Sequence, residues 1–190
     1  MKRLLLAGLL AAFCFSCARN ERTATPPAPA EKGVSTANSE PSVKGGKWQY
    51  NARKDEMDDK TQPGVFLQSE NQIRGFLGNN DVQPVLGVAC RDADLRVAVD
   101  VQVPANVEWG GGNTVRIRFD DDPPRTEKWV SGTSTGMLFS KNPSYFVERL
   151  KTSKKFRLEY TQFAAGSEVA IFNVQGFDYY WPQLKQCASR

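Results

Sequence analysis

From residue 94 the chain reads DLRVAVDVQV, in which Leu95, Val97, Val99, Val101 and Val103 alternate with Arg96, Ala98, Asp100 and Gln102. Ten residues of period two predict a strand with one face in a core and the other in water. The preceding QPVLGVACR is a shorter run of the same kind, with Leu86, Val88 and Cys90 on one face, so Cys90 is expected inside. In VEWGGGNTVRIRFDDDPP the pattern predicts strand, turn, strand, with Val115, Ile117 and Phe119 alternating with Arg116 and Arg118. TEKWVSGTS and GMLFS read as two further short strands, and KFRLEYTQF alternates again, with Phe156, Leu158 and Tyr160 inward. SEVAIFNV is a last strand; GVFLQSEN and KWQYN are earlier ones, the latter at an edge. Trp48 and Trp129 are expected to face the core or lie half-buried.

The period changes to that of a helix in NPSYFVERLKTSKK, where Asn142 is a good N-cap, Pro143 fits the first helical position, and Phe146, Val147 and Leu150 form an apolar stripe. A second short helix is expected in GFDYYWPQLKQC, with Trp181, Leu184 and Cys187 at helical spacing. Seven or eight short strands, two small helices and turn signals about every ten residues predict a mainly β fold: an antiparallel β-sandwich or small barrel with two short peripheral helices.

The first 46 residues do not share this patterning. Lys2 and Arg3 precede an apolar run, Leu4 to Phe13, that is too short to span a bilayer as a helix. Small residues follow, which is the layout of a secretory signal. Cleavage after Ser16 leaves Cys17 as the new N-terminus, and this resembles a bacterial lipoprotein box, whose cysteine thiol is lipidated. Cleavage after Ala18, with Ser16 and Ala18 as the small pair, is the alternative and leaves a soluble periplasmic protein. Residues 17–46 are rich in Ala, Pro, Ser and Thr and almost free of large apolar side chains, so they cannot offset their own ordering entropy. A flexible chain of this length averages roughly 30 Å end to end. The expected organisation is a signal peptide over 1–16, a tether over 17–46 and a β-rich domain over 47–190. By resemblance to Gram-negative lipoproteins, Ala18 after Cys17 implies the outer membrane, facing the periplasm.

Composition narrows the chemistry. Of 25 basic residues, Lys2 and Arg3 leave with the signal, so 23 remain against 21 acidic ones. That balance does not argue for nucleic acid. KTSKKFR at 151–157 reads as the cationic end of a helix rather than a basic patch. The absence of histidine removes Ser-His-Asp and Cys-His catalysis, the HExxH zinc site and imidazole pH switching. Cys90 and Cys187 are the two cysteines of the domain, and in an exported protein they read as one disulfide that pins the terminal helix to the strand bearing Cys90.

Few residues stand out as sites. Asp55, Glu56, Asp58 and Asp59, with Asp120 to Asp122, are a weak candidate for Ca²⁺, which needs six to eight oxygen ligands; their spacing is not an EF-hand, and a solvated acidic loop is the simpler reading. Arg96, Arg116 and Arg118 are candidates for a partner or anion patch on the outer face of neighbouring strands. The alternative is cross-strand pairing with Asp100, Glu127 or Glu159. Trp109, Tyr179, Tyr180 and Trp181 are the aromatic residues best placed in sequence to form a binding surface, although core and edge packing is expected to claim most of them. The glycines at 110–112 lack the Lys-Ser/Thr and helix of a phosphate cradle and read as a hairpin loop. Nothing calls for a cofactor or a resident metal. Glycan hydrolysis would need two carboxylates across a cleft, and no feature selects such a pair.

Several phrases nevertheless occur in a familiar order: KWQYNARKDEMDDKT, LQSEN, LGVACRD with its long alternating strand, VRIRFDDDPPRTEKW, SKNPSYFVERLKTSKKFRLEY and a terminal helix closing on Cys187. The series resembles the small exported β-domain of proteins associated with bacterial type VI secretion, the VasI-like family, over most of Trp48 to Cys187. Relatives of that domain also occur in prophage and envelope lipoprotein settings. The shared motifs are structural, and the resemblance carries over no catalytic residue. The expectation is a non-enzymatic envelope lipoprotein, anchored in the membrane at Cys17, whose β-domain binds an envelope or secretion-machine protein. The alternatives are a small-ligand carrier with an apolar β-cavity or, further off, a carboxylate-based glycan hydrolase.

Overall fold

The computed structural model describes residues 44–57, 59–78, 80–109, 111–132, 136–184 and 187. The signal segment, Cys17, Asp58 and the tether before residue 44 lie outside the described residues. Among the described residues there are nine strands: β1 (Gln49–Lys54), β2 (Thr61–Gln68), β3 (Val85–Arg91), β4 (Asp94–Asp100), β5 (Gly112–Phe119), β6 (Arg125–Ser131), β7 (Met137–Phe139), β8 (Lys155–Gln162) and β9 (Gly166–Asn173). Helix α1 (Pro143–Thr152) joins β7 to β8, and α2 (Phe177–Leu184) follows β9. The strands form one antiparallel sheet in the order β1-β2-β3-β4-β7-β6-β5-β8-β9, curled into a half-barrel.

The period-two pattern sets the inner face. Val65 and Leu67 of β2, Leu86 and Val88 of β3, Val97 and Val99 of β4, and Val115, Ile117 and Phe119 of β5 are all buried. Across the sheet they meet Phe156, Leu158 and Tyr160 of β8 and Ala170 and Phe172 of β9. Helix α1 fills the curl. The Asn142 side chain accepts the Tyr145 N–H at 3.2 Å, Pro143 opens the helix, and Phe146, Val147 and Leu150 point inward. The Phe146 ring lies 4.9–5.4 Å from those of Phe119, Trp129 and Phe156, a geometry that favours aromatic pairs.

The two ends of the sheet are stitched together by the chain that flanks them. Beyond β2, Glu70 N–H donates to the Ile171 carbonyl (2.6 Å), and the Asn71 side chain both accepts from Ile171 N–H (2.8 Å) and donates to the Val169 carbonyl (2.8 Å). Before β1, the Trp48 indole donates to the Val174 carbonyl (3.1 Å), and its ring packs on Phe177 of α2 at 5.1 Å. Gly176 allows this crossing, because a Cβ there would sit 2.5 Å from the backbone of Gly45 and Gly46, at a φ of +86°. The Cys90–Cys187 disulfide then ties the chain after α2 to β3, with both cysteines buried.

Two local expectations differ from the structure. The alternating run from residue 94 stops being a strand at Asp100, whose Oδ1 accepts the Gln102 N–H (2.9 Å) in a turn with Gln102 at φ +56°. Val101 and Val103 are buried all the same, so burial continues the alternation after the ladder has ended. The segment before Gly111 is a loop, not the first arm of a hairpin. Glu108 N–H donates to Gly112, Gly111 N–H donates back to Glu108, and the Glu108 carboxylate accepts the Thr114 N–H. A side-chain acceptor thus does locally what a partner strand would have done.

Candidate functional site

The outer face of β2, β3, β4 and β7 is the side of the sheet that the core does not use. Register places its residues in rows. Gly64, Ala89 and Arg96 lie side by side; the next row is Phe66, Gly87, Ala98 and Phe139; the next is Gln68, Val85, Asp100 and Met137. A typical outer face carries polar side chains. Here the middle of the face is glycine and alanine, which leaves a groove of about 440 Å³. The Phe66 ring lies down over the two glycines of the floor: a Cβ on Gly64 or Gly87 would come within 3.1–3.3 Å of it. On the far side the Phe139 ring covers Gly132 in the same way, at 2.9 Å. The groove therefore has an apolar floor, in which the Phe66 ring covers Gly64 and Gly87 beside Ala98, and Phe139 borders it.

One end of the groove is cationic. Arg96 stands at the end of the floor, and Arg53 of β1 and Arg91 of β3 join it at the rim, with the amides of Asn51 and Gln62 between. Arg91 reaches Asp92 only at 3.8 Å. Neither Arg53 nor Arg96 has a carboxylate within ion-pair distance among the described residues. At the opposite end Asp100 is occupied by its bond to the Gln102 backbone.

The arginines singled out from the sequence are separated. Arg96 and the pair Arg116 and Arg118 do share the outer side of the sheet, but β7 and β6 lie between their strands, so they are not neighbours. Arg116 pairs with Glu159 across β5–β8 at 2.7 Å, and Arg118 approaches Asp121 at 3.6 Å. Trp109 is fully exposed on its loop. Tyr179 and Tyr180 stack edge to face at 5.1 Å, and the Tyr180 hydroxyl donates to the Trp48 carbonyl, which makes Tyr180 a strut between α2 and the start of β1. These aromatics do not meet the arginine groove.

Asp55, Asp59, Asp120, Asp121 and Asp122 are engaged in the fold. Asp55 accepts from Met57 N–H (2.9 Å) and the Gln62 amide (3.3 Å), and Asp59 pairs with Lys54 at 2.5 Å. Asp120 accepts the backbone N–H groups of Lys154 and Lys155, and Asp122 pairs with Arg149. The two acidic turns belong to the β1–β2 and β5–β6 connections, with β3, β4 and β7 between those hairpins in the sheet. Among the described residues no three His, Cys, Asp or Glu side chains come together as a metal site would require. One ionisable group in the core is displaced: burial pushes the Tyr160 hydroxyl far above its ordinary 10.0, and Glu168 adds to the effect.

Sequence reasoning missed Arg53, Arg91, Phe66 and Phe139. A signal was available. In VLGVACR and DLRVAVD the positions out of phase with the core include Gly87, Ala89 and Ala98 at the centre, small and uncharged between the charged ends Arg91, Asp94, Arg96 and Asp100.

No family model and no curated protein matches the sequence. Among solved structures the fold is similar to that of invasion-associated protein B from Bartonella henselae, with a TM-score of 0.51 and 15% identity, over 76% of this chain and 95% of that one. The likeness is one of fold. Among the described residues no helix is long and apolar enough to cross a membrane.

Proposed function

We propose that this chain is an exported, non-enzymatic envelope protein, lipidated at Cys17 and held at the outer membrane, whose β-domain binds another protein of the envelope or of a secretion-type machine. The observation that carries the reading is the filled interior of the curl. Phe146, Trp129, Phe156 and Phe172 occupy the space that an internal ligand would need. What the domain offers to other molecules is its outer surface, which favours a binding module over a carrier with an enclosed β-cavity. A buried disulfide suits an oxidising compartment. The resemblance to the type VI secretion-associated domain supplies the class of partner, and soluble periplasmic release after Ala18 is the alternative to anchoring.

Two experiments test this. Palmitate labelling of cells expressing the protein is expected to mark it and to be lost in Cys17→Ser. In-cell crosslinking of the tagged full-length protein, followed by mass spectrometry, is expected to enrich specific envelope or secretion-machine proteins above the Cys17→Ser control. A labelled, correctly localised protein that crosslinks to no protein at all would end the adaptor reading.

A further inference from the structure

We infer that the outer-face groove over β2, β3, β4 and β7 is a binding site for a small amphipathic carboxylate, of the class of a medium-chain fatty acid. This goes beyond the protein-binding reading and does not depend on it. The volume, about 440 Å³, falls within the range of small-molecule sites, which combine a mostly apolar lining with a few convergent polar groups.

The two halves of the groove match the two halves of such a molecule. Ala98 and the Phe66 ring, which lies over Gly64 and Gly87, form an apolar floor beside the Phe139 ring, and this floor takes an aliphatic chain. Arg53, Arg91 and Arg96 line one end, where Arg91 also faces Asp94 in the β3–β4 register and lies 3.8 Å from Asp92, which leaves Arg53 and Arg96 as the head-group pair; a guanidinium recognises a carboxylate by paired, charge-assisted hydrogen bonds. Arg53 and Arg96 lack a carboxylate partner within the described fold, whereas Arg116, Arg118 and Arg149 each have one. Along β4 the distance from Arg96 to Asp100 is about 13 Å at 3.3 Å per residue, so the floor runs well beyond the head group. Asp100 at the far end sets polarity, because it repels an anionic head placed the wrong way round.

An acyl chain fits this floor better than an extended peptide. The floor lies on strands whose neighbours are in place on both sides. β2 and β3 are laddered on both sides, and β4 is over Ala98–Asp100, so a peptide main chain laid across that part of the groove would find its hydrogen-bonding partners already taken. A hydrocarbon chain needs none.

The test uses the purified full chain with its disulfide formed. Decanoate is titrated calorimetrically and by amide chemical-shift mapping, beside decyltrimethylammonium and an acidic glutamate–leucine repeat peptide. Saturable decanoate binding is expected, with shifts confined to β2, β3, β4 and β7 and affinity at least about tenfold above that of the cationic analogue. The Arg53→Gln/Arg96→Gln double variant alters only side chains outside the core and is expected to weaken decanoate by about tenfold or more at an unchanged melting temperature. Ala98→Leu fills the floor and is expected to abolish binding with all three arginines in place. No saturable decanoate binding, equal binding of the cationic analogue, shifts elsewhere on the domain, or groove shifts with the acidic peptide alone would each overturn the assignment. None of these results bears on whether the protein crosslinks to an envelope partner, so the two readings fail separately.

Discussion

Removing the disulfide is the perturbation whose size follows most directly from the topology. Cys90 and Cys187 are 97 residues apart in sequence, so the bond closes most of the domain into one loop. The chain-entropy model assigns a loop of that length about 4.7 kcal/mol, as configurational freedom denied to the unfolded chain. Against a typical domain stability of about 5–15 kcal/mol, that is a third or more of the total. The folded state should change little, because α2 keeps its own anchors: Phe177 and Leu184 are buried, Phe177 packs on Trp48, and Tyr180 holds the Trp48 carbonyl. The assay is urea unfolding of the wild type and of Cys90→Ala/Cys187→Ala, followed by circular dichroism. The expected result is native far-ultraviolet spectra for both, a loss of about 3–5 kcal/mol in the variant, and a larger denaturant slope because its unfolded chain exposes more surface. A loss below about 1 kcal/mol with an unchanged slope would refute the reasoning, since it would mean the unfolded state is not expanded enough for the crosslink to restrict it.

Three further outcomes are expected. Phe146→Ala removes a fully buried ring that packs on Phe119, Trp129 and Phe156 and should cost about 3–5 kcal/mol in the same urea assay; a loss under about 1 kcal/mol would mean α1 is not the plug of the curl. Asn142→Ala removes the acceptor for Tyr145 N–H and should cost about 0.5–2 kcal/mol, with Asn142→Asp close to wild type. The third concerns alkaline pH. The folded-state pKa of Tyr160 is raised above its ordinary 10.0, so the folded protein holds a proton that the unfolded chain releases. Its contribution is intact below pH 10 and is lost as pH rises from there towards the folded pKa. Among the described residues this buried hydroxyl has no hydrogen-bond partner, so Tyr160→Phe is expected to stay within about 1 kcal/mol of wild type at neutral pH, and to flatten the decline above pH 10. An equally steep decline in Tyr160→Phe would assign it to other groups.

Much of this architecture was legible in the chain. Alternation placed the inward residues of β3, β4, β5 and β8, since a strand shows its two faces at every second position regardless of its partners. Asn142-Pro143 placed the start of α1, because capping is settled within one turn. Two cysteines in a segment expected to be exported gave the Cys90–Cys187 bond. Long-range facts were not legible. Nothing local says that β7 and β6 insert between β4 and β5, and this insertion separates Arg96 from Arg116 and Arg118 and brings Phe139 alongside Ala98. Nor does anything local say that Arg53, Arg91 and Arg96, drawn from three strands, converge beyond a floor of glycine and alanine. Local stereochemistry and polarity decide an element and its faces within a few residues, and the sequence by itself determined those. Which strand pairs with which, and hence which side chains share a surface, depends on burying all the inward faces at once, and only the tertiary structure decided it.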